Sequence, residues 1–158
     1  MKTKNKDTAE KEEEFNVGQQ LHVMAFGNSF NHHQLKYGHY EIVKINQKSV
    51  GLKAIKSIGT TWSTYSPWAK ESLKKWAMFP TLQEAIDWCY PIMCKREKTW
   101  KDDIKGYTPK HPNWDRFTLL IKQTSEVKKL LKDYSYEKHI EINDKYSKLY
   151  NELEKEKK

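Results

Sequence analysis

Cysteine is almost missing from this chain: only Cys89 and Cys94 occur in 158 residues. They stand five apart in a stretch that reads as helix, so they fall on different sides of the cylinder. That spacing excludes a disulfide framework and a CxxC-type site. Arginine is nearly absent too, with Arg96 and Arg116 alone among 29 basic residues. No apolar run approaches the ~18 residues of a membrane span. The opening "MKTKNKDTAEKEEEF" has charge but no apolar centre, which is not the make-up of a signal peptide. The expected location is the cytoplasm.

Catalytic signatures are also lacking. There is no GxSxG, no P-loop and no GxGxxG. Cys89 sits in "WCYP", an apolar setting that suits an inert buried thiol. Asp102 and Asp103 are helix neighbours about 100° apart, so they form no carboxylate dyad. His32, His33 and His39 have neither HxxxH nor HxH spacing, and Glu41 is the one carboxylate between residues 15 and 58. Zinc needs three or four converging ligands. His22, His111 and His139 lie far off and would join them only by accident of fold. The expectation is a non-enzymatic protein with no metal and no cofactor.

Aromatic residues, by contrast, make up 13% of the chain, with six Trp and nine Tyr, and charged residues make up 32%. Mean hydropathy is −0.97. This much bulky apolar surface excludes a disordered protein and predicts a compact core in a charged shell. Residues 1–14 read as a disordered charged tail. Residues 15–134 read as a single domain, with strands to about residue 80 and helices over about 81–134. Residues 135–158 read as a C-terminal helix, partly frayed.

Three strands stand out. "QQLHVMAF" alternates Leu21, Val23 and Ala25 with His22, Met24 and Phe26, a strand buried in part on both sides. "GNSFNHHQLKYG" reads as a loop, with Gly27, Asn28 and Gly38 as turn chemistry. "HYEIVKI" is a second strand, "NQK" a tight connection, and "SVGLKAIKSI" a third strand with a bulge or bend at Gly51. "WSTYSPW" and "KWAMFP" each read two ways. Ser66-Pro67 can start a short helix through Trp68, Leu73 and Trp76, or "WAMFP" can be the last strand.

Helices follow. Thr81 and Glu84 form a capping box ahead of Leu82, Ala85, Ile86 and Cys89. Pro91 is expected to break or kink that helix, with a restart that Gly106 stops. "YTPKHP" is a connector. Asn113 caps "WDRFTLLIKQ", and Ser125 restarts a turn or two. The last segment spaces Ile142, Tyr146, Leu149 and Leu153 by four, three and four, a short coiled-coil-like seam. Docking on the protein's own core is its expected use, with a weak homodimer through 136–153 as the other.

Net charge is +8, and it is unevenly placed. Residues 15–60 hold Lys36, Lys44, Lys48, Lys53 and Lys56 against Glu41, a net +4, whereas residues 135–158 balance to zero. Lysine suits phosphate contact but lacks the planar fork that reads guanine edges. With Phe30, His32, His33 and Tyr37 placed in an exposed loop, and Tyr40 a further stacking candidate, the pattern is that of a nucleic-acid surface. DNA or RNA would be held with little sequence dependence. The competing reading is a protein partner docked on Trp62, Tyr65 and Trp68, because Trp and Tyr dominate protein hot spots.

The residues "NVGQQLHVMAF", "HYEIVKINQKSVGLKAIKS" and the "VGQ" entry resemble the opening strands of SH3-like small barrels. "FPTLQEAIDW" is similar to the helix that follows such strands in small bacteriophage accessory proteins. The resemblance covers roughly a third of the chain. It implies an α+β fold, a small antiparallel SH3-like barrel followed by three or four packed helices. It also implies an accessory role in the host-cell cytoplasm, either on nucleic acid or as an inhibitor or modulator of host transcription or defence machinery. The KOW-type glycine arrangement is missing, so no ribosomal or elongation-factor role is carried over.

Overall fold

A computed structural model of the chain describes residues 15–26, 34–59, 68–70, 73 and 77–156. The fold is α+β. Among these residues five antiparallel strands form one sheet in the order β4-β3-β2-β1-β5. They are β1 (Gln20–Phe26), β2 (Leu35–Ile45), β3 (Ser49–Ile58), β4 (Trp68–Ala69) and β5 (Met78–Phe79). Three helices follow among the described residues: α1 (Leu82–Ile104), α2 (Trp114–Lys132) and α3 (Tyr136–Glu156). Among those residues no pairing joins the two edges of the sheet.

The chain enters β1 through a turn that closes from Gln19 N to Asn16 O at 3.0 Å, with Gly18 at φ 87°. Only glycine takes that angle cheaply. The β2–β3 hairpin closes from Asn46 N to Ser49 O at 2.8 Å, as "NQK" predicts. Two register shifts interrupt this hairpin. Val43 is the extra residue between the pairs Ile42–Leu52 and Lys44–Gly51, and Ile55 between Tyr40–Ala54 and His39–Lys56. The bend expected at Gly51 is therefore real, but the added residue sits in the opposite strand. Bulges leave a residue outside the pairing pattern, and Val43 and Ile55 are 48% and 44% exposed as a result.

Both faces of the sheet are used. Leu21, Tyr40, Ile42, Val50 and Leu52 cluster with Leu73 on one face. On the other, Met24, Leu35, Tyr37 and Ile58 pack against Ala85, Ile86, Cys89 and Met93 of α1 and Val127 and Leu131 of α2. A third cluster joins Leu120 of α2 to Tyr146 and Tyr150 of α3, with Ile142 and Leu149 against it. The seam of the last helix thus docks on the protein's own core.

Several expectations need correction. β2 begins at Leu35, so Lys36, Tyr37 and Gly38 are strand rather than loop. The segment that read two ways holds both readings in part: it starts as β4, is helical at Lys70 and Leu73, and ends as β5. Pro91 does not break α1, which runs unbroken over 23 residues. Ala85, Ile86 and Cys89 before it and Met93 after it are anchored in one core, and that packing outweighs one missing N–H. Ser125 likewise lies inside a continuous α2. The Thr81 cap is as read, its hydroxyl accepting from Glu84 N at 3.2 Å. Asn113 stands at the start of α2 but makes no side-chain cap. Among the described residues no helix is long and apolar enough to cross a membrane.

Candidate nucleic-acid interface

Register and parity define one outer face on the half of the sheet that the helices leave open. Met24 pairs with Tyr37, and Tyr37 with Ile58, beneath α1 and α2. The next row across the sheet is Phe79, His22, His39 and Lys56, from β5 to β3. Beyond it come Gln20, Glu41 and Lys53, and then Lys44 opposite Gly51. Directly paired residues share a face, as do residues two apart on an uninterrupted strand. Lys44, Lys53 and Lys56 therefore share this face, against the single acid Glu41.

The imidazoles lie at the centre of the row. His22 and His39 stack at 4.1 Å with an interplanar angle of 18°. His22 Nδ1 and the Tyr37 hydroxyl are hydrogen-bonded at 2.8 Å. His39 Nε2 donates to Gln20 Oε1 at 2.7 Å. Burial, and then the neighbouring His39, pushes the His22 pKa down to about 4. Burial and then Lys56 lower that of His39, against an opposing pull from Glu41. Both rings are neutral at pH 7, so they stack without repelling each other and add no charge to the face. Phe79 meets Trp88 of α1 at 5.9 Å, and Trp88 is 37% exposed. At the other end, Lys56 Nζ lies 5.0 Å over the Tyr136 ring, whose hydroxyl donates to Ser57 O at 3.2 Å.

The remaining candidates fall differently. Lys36 pairs with Ala25, so it occupies the opposite face from Tyr37 and its row. Lys48 is exposed in the hairpin turn, where its carbonyl accepts from Lys70 N at 2.9 Å. Tyr37, expected in an exposed loop, is 3% exposed and meets Tyr134 edge-on at 5.8 Å. Burial pushes its hydroxyl up to about 12. Tyr40 is 2% exposed in the opposite cluster. Neither tyrosine can stack on a base, because each fills a core position set by its strand. Phe30, His32, His33, Trp62 and Tyr65 lie outside the described residues, as does the side chain of Trp68.

His22, Phe79, Gln20 and Trp88 were missed in the sequence, and His22 was set aside as remote. A signal was present. Pairing "LHV" antiparallel with "GHY" puts His22 directly opposite His39. Reading Gly38 as a turn hid that symmetry.

Other chemistry-bearing groups are spent on structure. Cys89 and Cys94 are free thiols, and burial pushes Cys89 up to about 12. Asp102 pairs with Lys105 at 3.2 Å on the surface. Among the described residues no three His, Cys, Asp or Glu side chains converge as a metal site. No family model, no curated protein and no solved structure matches the chain.

Proposed function

We propose that this is a non-enzymatic, phage-type accessory protein that binds nucleic acid mainly through backbone phosphates on the open sheet face. The observation that carries the reading is the common face of Lys44, Lys53 and Lys56 beside a row of half-buried neutral rings. Lysines neutralise phosphates and release counterions whatever the base sequence. We further propose that the sheet is an SH3-like barrel. The bulged β2–β3 hairpin, which bends the sheet, and burial on both of its faces support this reading.

A second reading keeps one specific support. Val43 and Ile55 are exposed apolar side chains beside Lys44 and Lys56, a mixed surface that also suits a host protein. In that case the chain is an inhibitor or modulator of host transcription or defence machinery.

A salt titration of binding to single- and double-stranded DNA and RNA tests the first reading. The expected result is affinity that falls linearly in log salt, with a slope of about −0.7 to −0.9 per phosphate neutralised. Absence of binding at low salt overturns it and leaves the protein partner.

A further inference from the structure

The two imidazoles at the centre of the open face turn their edges outward. His22 and His39 are directly paired on neighbouring strands and stack at 4.1 Å. Strands lie about 4.8 Å apart, so rings stacked across that gap stand on end from the sheet. Each ring commits one nitrogen to a structural bond, His22 Nδ1 to the Tyr37 hydroxyl and His39 Nε2 to Gln20 Oε1. Among the described residues the other two nitrogens, His22 Nε2 and His39 Nδ1, have no partner and are not sealed from solvent. Lys56 pairs directly with His39 on the same face. We propose that His39 and Lys56 together hold a backbone phosphate of the bound nucleic acid, and that His39 takes up one proton as that phosphate docks. This rests on the nucleic-acid reading above and adds to it a phosphate contact and a pH dependence.

The hydrogen bond to Gln20 decides where the proton goes. The amide oxygen of Gln20 only accepts, so the proton of the neutral ring lies on His39 Nε2. Nδ1 then holds a lone pair, which repels a phosphate oxygen. A second proton turns it into a charged donor, the stronger kind of bond to an anion. In the free protein that cation is disfavoured, by burial first and then by Lys56. An anion between His39 and Lys56 reverses the balance. The charged and titratable groups around the pair are Tyr37 and Glu41 of β2, with Tyr134 against Tyr37, Lys53 and Lys56 of β3 and, past Lys56, Tyr136 and Glu137 of α3. Of these Glu41 is the one that favours the cation before a ligand arrives. Phe79 of β5 and Trp88 of α1 border the pair without charge.

The test follows binding of the full chain to a labelled thymidine homopolymer at fixed low salt, from about pH 8 to about pH 5.5. A phosphodiester and ordinary lysine or carboxylate side chains hold their charge over that range, whereas histidine does not. Affinity should rise as pH falls, by about fivefold or more over the range and by no more than about tenfold per pH unit for one proton. His39→Gln keeps a partner for Gln20 and cannot titrate, so its affinity should not change with pH. If that variant fails to fold, imidazole NMR of the native chain decides: the His39 titration midpoint should rise when the homopolymer is added. An unchanged slope in His39→Gln, or an unmoved midpoint, assigns the proton to another histidine and overturns the proposal. A flat profile of the native chain overturns it too, with phosphate binding intact. No binding at any pH removes the nucleic-acid reading itself.

Discussion

Gly38 lies directly beneath the ring of Tyr40. A Cβ at position 38 would stand 2.3 Å from Tyr40 Cε2 and 2.8 Å from its hydroxyl oxygen. Tyr40 is buried at 2% exposure and cannot swing aside without opening the cluster around Ile42 and Val50. Gly38→Ala should therefore cost about 2–3 kcal/mol through overpacking. Urea denaturation measures it, and an unchanged midpoint would mean that the ring has room to move.

His139 should be the most sensitive polar residue of the last helix. It is fully buried, donates from Nε2 to Leu35 O at 2.8 Å, and accepts at Nδ1 from the Tyr134 hydroxyl at 2.7 Å. The carbonyl can only accept, so the proton sits on Nε2 and the tyrosine must donate. His139→Ala empties the site and leaves the tyrosine hydroxyl unpartnered, at a cost of about 3 kcal/mol. Tyr134→Phe should cost about 1–2 kcal/mol by orphaning Nδ1 alone. Thermal or urea unfolding of the two variants should rank them in that order.

Stability should fall on mild acidification. The pKa values of His22, His39 and His139 are all held below 6.5, that of His22 at about 4. A base with a depressed folded pKa binds fewer protons in the native state than in the unfolded chain. Its contribution is complete above 6.5 and is lost as pH falls toward the folded value. The urea midpoint should drop between neutral pH and about pH 4, and His22→Gln should shrink that drop. A midpoint flat over this window would contradict the burial of these rings.

Pro91 offers the reverse outcome. It lies exposed inside α1 and supplies no N–H to the turn before it. Pro91→Ala should stabilise the protein by about 1–3 kcal/mol, since an interior proline costs a helix about 3. A loss of stability would show that α1 needs a bend at this point.

The lysines should separate by face. Lys53→Ala and Lys56→Ala should each weaken binding evenly across sequences and lower the salt slope by about one. Lys36→Ala, on the opposite side of the sheet, should leave the slope unchanged. Equal effects at all three positions would place the ligand elsewhere.

Elements with local signatures were legible in the sequence. The bounds of β3 follow from its apolar alternation, and the start of α1 follows from the Thr81 hydroxyl. What failed was decided at long range. Gly38 looks like a turn because glycine usually serves φ, whereas here it makes room for a ring two residues on. Pro91 looks like a stop because the packing that overrides it comes from β1, β2 and α2. The lysine face was half visible, because Lys44, Lys53 and Lys56 share it only through two bulges that no single strand announces. The imidazole pair needed the pairing register, which no local pattern contains.

The carbonyl of Leu35 takes donors from both His139 and Asn143 of α3, separations of 104 and 108 residues. During synthesis, β2 is therefore made long before the groups that complete it. Until α3 leaves the ribosome, that carbonyl must be met by water, and the apolar cluster beside it cannot seal. Such distant contacts slow folding and prolong the exposure of partly built sheets. The last helix thus sets when the nascent chain can commit to its native state, whatever ligand the finished face then receives.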